Sequence, residues 1–154
     1  MKPAAIALAT FFGCGYSPGA PGTVGSLGAL LVAWLLVHFF HLTPLMFAGL
    51  ALVSLLPAIW SADVTARAVL KKDPQIVVID EVVGQWITLA GAATLNFRAW
   101  ALAFALFRIF DIWKPWPVKK LEHLPGGTGI VMDDVMAGIY GALVLFAAGW
   151  FNLY

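Results

Sequence analysis

The feature that most constrains this chain is its series of long apolar runs, with nearly all charged residues in short stretches between them. Of its 154 residues, 62% are hydrophobic and only 11% are charged, whereas a soluble domain carries about 25% charged residues. One compact core cannot bury so much apolar surface, so lipid is the expected solvent. The runs are continuous and do not alternate with polar residues, which argues against a β-barrel. The sequence therefore predicts an all-α fold, a polytopic membrane helical bundle that forms a single membrane-embedded domain over residues 1–154.

The runs and their breaks predict a short N-terminal interfacial helix and about five apolar helices. Residues 3–12 are apolar but too short to span, which is typical of a helix that lies on the membrane or is half inserted into it. Residues 13–25 hold many glycines and prolines and are expected to be irregular, with Ser26 capping the helix that follows. The five helices are predicted over residues 26–41, 45–70, 80–94, 98–112 and 132–154.

The distribution of basic residues predicts the orientation. With this alternation, eight of the nine lysines and arginines fall on one side of the membrane, and Arg98 falls on the other. Basic residues concentrate on the cytoplasmic side of membrane proteins. The polar loops are thus expected to face the cytoplasm, with the C-terminus on the opposite side. The net charge of +1 does not indicate a nucleic-acid partner, and the single cysteine excludes an internal disulfide.

Two acidic doublets, Asp80-Glu81 and Asp133-Asp134, stand where apolar runs begin. One interpretation is helix capping, because carboxylates favour helix N-termini. A single capping residue suffices for each helix, however, so two doublets also indicate a function. Small residues follow each doublet on one helix face (Gly84, Thr88 and Gly91 in one, Gly138, Gly141 and Ala142 in the other), and such faces let membrane helices pack closely. If these helices pack together, all four carboxylates meet, and a divalent cation bound by oxygen ligands, Mg²⁺, would relieve their repulsion.

A third polar stretch includes Arg108, Asp111 and Lys114. Arg108 and Asp111 lie on one helix face and could form a simple ion pair. Alternatively, Arg108 and Lys114 bind a phosphate while Asp111 joins the metal site. The glycine-rich segments at residues 17–26 and 126–129, with the hydroxyls of Thr23 and Ser26, also suit an anion.

Other polar residues are given structural interpretations. Asp63 and Arg67 are four residues apart on one helix, which predicts an ion pair. Asp73 precedes Pro74 and is interpreted as a turn residue. The three histidines are scattered and form no ligand set.

Taken together, these motifs resemble the phosphatidylglycerophosphatase A family, Mg²⁺-dependent lipid phosphatases of the bacterial inner membrane. The resemblance covers roughly residues 11–150 and rests on four stretches in the family's order, which are residues 17–26, 80–87, 107–117 and 126–138. It implies a phosphatase domain that removes the terminal phosphate of phosphatidylglycerol phosphate, a membrane lipid. The head group of that lipid would meet the cytoplasmic face, where the acidic doublets are expected.

The expected site follows from the motifs and the resemblance together. Its catalytic residues are Asp80, Glu81, Asp111, Asp133 and Asp134. The expected Mg²⁺ ligands are Glu81, Asp133 and Asp134, with Asp80 or Asp111 assisting, and the phosphate-binding residues are Thr23, Ser26, Arg108 and Lys114. The sequence leaves open which carboxylate acts as base or nucleophile, and whether the protein is a monomer or a homodimer. Two alternatives also remain, a divalent-cation transporter subunit that uses the same carboxylates and a phosphatase of another lipid phosphate.

Overall fold

A computed structural model describes residues 2–154, and these residues form helices without any strand. Seven α-helices and one short 3₁₀ turn at Cys14–Tyr16 make up the fold. In chain order the helices are α1 (Lys2–Ala9), α2 (Pro21–Phe40), α3 (Pro44–Val69), α4 (Ile79–Ala90), α5 (Phe97–Trp113), α6 (Val118–Leu121) and α7 (Gly127–Trp150). The all-α prediction is confirmed.

Three helices, α2, α3 and α7, are long and apolar enough to cross a membrane. The expected count of about five apolar helices is not confirmed. Helix α4 has 12 residues, so at 1.5 Å per residue it is about 18 Å long, well short of the roughly 30 Å of a bilayer core. Helix α5, with 17 residues, is about 25 Å long by the same rise.

Helix α4 lies at the centre of the bundle and packs against α2, α3, α5 and α7. Nine of its 12 residues are buried, which explains how so short a helix is held in place. The indole nitrogen of Trp86 donates a hydrogen bond to the carbonyl oxygen of Ala29 in α2 (3.1 Å). The bundle is therefore organised around a helix that need not span the membrane by itself.

The predicted packing of α4 against α7 through small residues is confirmed. A Cβ added at Gly138 would lie 2.5 Å from the carbonyl oxygen of Gly84, and a Cβ added at Gly91 would collide with the backbone of Ala142. The Thr88 hydroxyl is 3.0 Å from the carbonyl oxygen of Gly84 and 3.2 Å from that of Gly138. The two backbones approach this closely because no side chain separates them.

Two helices begin earlier than expected. Helix α2 starts at Pro21, so residues 21–25 are helical and the prediction of an irregular segment is wrong there. Proline suits the first position of a helix, and Gly25 lies where a Cβ would press on Val78. Helix α7 starts at Gly127, where a Cβ would collide with the backbone of α3. These glycines serve close packing and do not interrupt the helices.

Candidate active site

A polar cavity of about 360 Å³ lies at one end of the bundle. It is enclosed by the start of α2, the loop before α4, the first turn of α4, the end of α5 and the second turn of α7. Six of the eight acidic residues of the chain line it, together with two basic residues, Arg108 and Lys114. The six are Asp73, Asp80, Glu81, Asp111, Asp133 and Asp134.

Three of these carboxylates, Asp80, Glu81 and Asp134, form a compact group that we call the acidic trio. One oxygen from each lies within 4.8 Å of the other two. The α4–α7 crossing creates this arrangement, because Asp80 lies one turn before Gly84 and Asp134 one turn before Gly138, where the two helices touch. Within residues 2–154, the buried oxygens Asp80 Oδ1 and Glu81 Oε2 accept no hydrogen bond.

Asp133 has a different environment from the trio. Its Oδ2 accepts a hydrogen bond from Lys114 Nζ (2.7 Å), and its Oδ1 accepts one from the Asp134 backbone N–H (3.1 Å). Lys114 caps the end of α5 in a left-handed backbone conformation (φ 47°), and its Nζ is also 3.4 Å from Glu122 Oε2. Partial burial alone lowers the pKa of Lys114, but the hydrogen bond to Asp133 and the charges of Asp133 and Glu122 raise it above its ordinary value. Lys114 is therefore a stable cation at neutral pH.

The second cation of the cavity, Arg108, is paired with Asp111. Arg108 Nη1 lies 2.6 Å from Asp111 Oδ2, and both side chains are largely buried. The local ion pair considered from the sequence is thus present, and both partners still line the cavity. On the facing helix, a Cβ added at Gly22 would collide with Glu81 and come within 3.2 Å of Arg108 Nη1. Glycine at this position lets the start of α2 cover the site closely.

The structure brings most of the predicted site residues together, but not all of them. Thr23 lines the cavity, whereas Ser26 does not. Ser26 is fully buried, and its hydroxyl donates to the Gly22 carbonyl oxygen (2.9 Å) within α2. Ser26 therefore neither caps α2 nor faces a phosphate.

The glycine-rich segment at 126–129 does not line this cavity either. The backbone N–H of Gly127 donates to Asp63 Oδ1 (3.2 Å), and Asp63 also pairs with Arg67 at 2.9 Å. The predicted Asp63–Arg67 ion pair is confirmed, but the sequence did not indicate that Asp63 also binds the start of α7. A carboxylate of the chain itself thus occupies the place where a phosphate was expected.

Asp73 was interpreted mainly as a turn residue, with a role in the site as the lesser alternative, and it lines the cavity. Burial raises its pKa; the nearby charge of Lys114 opposes that shift and the charge of Glu122 adds to it. The one available sequence signal was its position just after Lys71-Lys72 and shortly before Asp80. A loop residue of this kind cannot be assigned to a site by helix periodicity.

Comparison with known proteins identifies the family of the chain. The family model of phosphatidylglycerophosphatase A matches residues 7–149 of the chain. The chain belongs to the phosphatidylglycerophosphatase A family. It is accordingly an enzyme of this kind, a phosphatase, and its resemblance to the family is confirmed.

Two relatives carry the name phosphatidylglycerophosphatase A. The protein from Escherichia coli is 36% identical over 92% of this chain and 81% of its own length. The protein from Haemophilus influenzae is 39% identical over 95% of this chain and 89% of its own length. A third relative, from Bacteroides thetaiotaomicron, is 42% identical over 94% of this chain and 93% of its own length, and is named "Putative phosphatidylinositol-3-phosphatase". No solved structure matches the chain significantly.

The acidic trio fits the metal that the phosphatidylglycerophosphatase A family resemblance implies. Buried carboxylate oxygens without hydrogen bonds are costly unless a cation binds them. The donors are all oxygens, which suits Mg²⁺ or a similar hard cation. Asp133, which was expected to be a ligand, lies outside the trio and is hydrogen-bonded to Lys114.

Proposed function

We propose that this chain hydrolyses the terminal phosphate monoester of phosphatidylglycerol phosphate in an Mg²⁺-dependent reaction, giving phosphatidylglycerol and inorganic phosphate. The reaction takes place at the cytoplasmic face of the bacterial inner membrane and contributes to glycerophospholipid synthesis. The observation that carries this proposal is the cavity itself, in which a carboxylate trio adjoins two paired cations. Carboxylates that can bind a metal ion, placed beside fixed cations, suit the transfer of a phosphoryl group.

The orientation is supported by the charges around the cavity. At the cavity end of the bundle, Lys71 and Lys72 follow the end of α3, and Lys119 and Lys120 lie in the short helix α6. Arg98 lies at the start of α5, at the other end. By the positive-inside rule the cavity end faces the cytoplasm. The three candidate spans then put the C-terminus, at the far end of α7, on the opposite side.

Arg108 and Lys114 are the phosphate-binding residues in this proposal. Each carries a positive charge and several N–H donors, and each forms a short contact with a buried carboxylate, Arg108 with Asp111 and Lys114 with Asp133. These acids act as positioning residues, because they fix the two cations beside the trio. The hydroxyl of Thr23 lines the same cavity and is available to a phosphate oxygen.

Asp80, Glu81 and Asp134 hold the metal in this proposal. When bound, Mg²⁺ would neutralise phosphate oxygens and lower the pKa of a bound water. The α4–α7 crossing places Asp80 and Asp134 side by side, so the fold itself brings carboxylates together at this point.

The proposed reaction is an in-line displacement. A water oxygen bonds to phosphorus as the bond to the glycerol oxygen breaks; the water loses a proton to a cavity carboxylate, and the leaving oxygen gains one. A carboxylate nucleophile that forms an aspartyl phosphate is the alternative. An acid quench during a single turnover distinguishes the two routes, because phosphoenzyme is trapped only on the covalent route. In ¹⁸O-labelled water, direct attack labels phosphate alone, so label in a protein carboxylate also indicates the covalent route, with water attacking the carbonyl carbon.

A second candidate substrate is another phosphorylated lipid. The relative from Bacteroides thetaiotaomicron bears the name of a phosphoinositide phosphatase and covers nearly the whole chain. The same trio and cations would serve any lipid phosphate monoester, because they contact only the phosphate. The hypothesis of a divalent-cation transporter subunit is not retained, since the family is one of enzymes.

The test measures phosphate release by the purified protein in detergent micelles. Phosphatidylglycerol phosphate is compared with phosphatidylinositol 3-phosphate and phosphatidic acid, each with Mg²⁺, with EDTA, and with Mg²⁺ restored after EDTA. We expect the highest kcat/KM with phosphatidylglycerol phosphate, no release in EDTA and recovery when Mg²⁺ returns. A preference for the phosphoinositide would retain the chemistry and replace the substrate. Full activity in EDTA would refute the metal assignment.

A further inference from the structure

An apolar groove of about 590 Å³ runs between α2 and α5. Its walls are formed by Leu27, Leu31 and Trp34 of α2 and by Trp100, Ala101 and Phe104 of α5, among other apolar side chains. The α2 wall is open, with Leu27 50%, Leu31 60% and Trp34 50% exposed. In a bilayer these side chains face lipid, and the volume is in the range of ligand-binding clefts.

The groove continues the polar cavity on both helices. On α2, Thr23 lines the cavity and Leu27, four residues later, lines the groove. On α5, Arg108 lines the cavity and Phe104, four residues earlier, lines the groove. Residues four apart share one helix face at about 6 Å along the axis. The groove therefore begins about one helical turn below the cavity and leads toward the membrane interior.

The two walls are held apart by other partners. Helix α2 is fixed to α4 by the Trp86–Ala29 hydrogen bond, and α5 packs mainly on α7, while α2 and α5 make few contacts with each other. The groove thus stays open because each wall is anchored elsewhere.

We propose that this groove binds an acyl chain of the substrate lipid while the phosphate lies in the cavity. The inference rests on the proposed function and adds the place where the apolar part of the substrate binds. Lipid tails are as apolar as leucine side chains, so moving a chain from bilayer to groove gains little hydrophobic free energy. The groove acts by orientation, holding the lipid so that its head group enters the cavity beside Arg108.

The first test is photolabelling, which does not depend on turnover. A phosphatidylglycerol analogue with a diazirine midway along one acyl chain is irradiated with the full-length protein in bilayers, with and without excess unlabelled phosphatidylglycerol phosphate. Mass spectrometry is expected to find competable labels on the α2 and α5 residues of the groove. Labels spread evenly over the lipid-facing sides of α3 and α7 would overturn the proposal. So would labels concentrated in another large apolar groove, such as the one beside Phe11, Val53 and Trp86.

A matched pair of variants supplies the second test. Ala101→Trp narrows the groove, whereas Ala147→Trp adds the same bulk at an exposed position on α7 that lines neither groove. Ala101→Trp is expected to reduce groove labelling strongly and to lower kcat/KM for the long-chain lipid at least tenfold, with less than a twofold change for the deacylated head group. Ala147→Trp should alter none of these values. An equal loss on both substrates, or no loss at all, would refute the acyl-chain site.

The two tests separate this inference from the proposed function. If the wild-type protein labels in the groove but releases no phosphate from phosphatidylglycerol phosphate, the lipid site stands and the assigned substrate fails. If it hydrolyses that lipid but labels elsewhere, the function stands and the groove assignment fails.

Discussion

The two acidic doublets are alike in sequence and differ in the structure. Asp80 and Glu81, in the first turn of α4, both belong to the acidic trio. In the second turn of α7, Asp134 completes the trio, while Asp133 accepts a hydrogen bond from Lys114. Neighbouring residues on a helix point about 100° apart, so one doublet can serve two purposes. The first doublet is directed at one site, and the second links that site to a cation.

Charge alone therefore does not identify a metal ligand. Asp133 and Asp134 are equally buried, each 4% exposed. What separates them is the neighbour that each oxygen meets. An acid with a lysine at 2.7 Å already has its counter-charge, whereas the trio lies among other acids. The predictions below address this contrast directly.

The largest effect is expected from Asp134→Asn, which removes a charge from the trio with little change of shape. The loss of metal-based charge stabilisation should lower kcat/KM by about 10³-fold and weaken Mg²⁺ binding, measured by calorimetry. Asp80→Asn should behave in the same way. If Asp134→Asn keeps wild-type Mg²⁺ affinity, Asp134 is not a ligand and the contrast between the doublets disappears. Thermal unfolding of each variant checks that the fold is retained.

A smaller effect is expected from Asp133→Asn, because it frees Lys114 and leaves the trio intact. Losing such a positioning contact typically lowers activity about 10–100-fold; here we expect Mg²⁺ affinity to stay near the wild-type value. The double variant with Lys114→Gln should lose less than the product of the two single losses, since both act through one contact. Strictly multiplicative losses would count against the pair.

Glu122→Gln is the matched control for Asp133→Asn. Glu122 also approaches Lys114, but at 3.4 Å and with a side chain 41% exposed. Exposed ion pairs contribute little free energy, so the activity of Glu122→Gln should remain within about threefold of wild type. A loss as large as that of Asp133→Asn would mean that any acid near Lys114 suffices.

The helix crossing that sets the distance between the doublets is tested by Gly138→Ala. The new Cβ would lie 2.5 Å from the Gly84 carbonyl oxygen, so the backbones must separate, at a cost of about 1–3 kcal/mol of stability. Gly49→Ala is the control, because a Cβ there meets nothing within 4 Å and should be neutral or stabilise α3 by up to about 1 kcal/mol. Equal unfolding temperatures for the two variants would show that the crossing tolerates a methyl group.

Much of this arrangement was predictable from local patterns. The small-residue faces of Gly84 and Gly138 predicted the α4–α7 contact, and the doublets on those faces predicted that carboxylates would meet. These predictions succeeded because helix periodicity alone shows which residues share one side of a helix, whatever the rest of the chain does. The family motifs then supplied the activity.

The rest depended on contacts between distant parts of the chain. Glycines near residues 22 and 127 were placed outside the helices, because sequence shows their backbone freedom but not the α4 or α3 atoms that lie against them. The hydrogen bond from the Gly127 backbone N–H to Asp63 joins residues that are 64 positions apart in the chain. The partner of Asp133 depended on where Lys114 emerges from α5, which no periodicity specifies.

Six carboxylates and two cations crowd around one cavity, and this arrangement sets the stability of the fold against its activity. The formal charge of the lining is −4 when all groups are ionised, and like charges held together oppose the compact state. A substitution that neutralises one acid would ease this repulsion while removing function. Catalytic activity therefore favours acidic residues at these positions, whereas folding stability favours neutral ones. Selection for activity alone maintains the acids. The tight glycine contacts between α4 and α7 supply cohesion that offsets the repulsion.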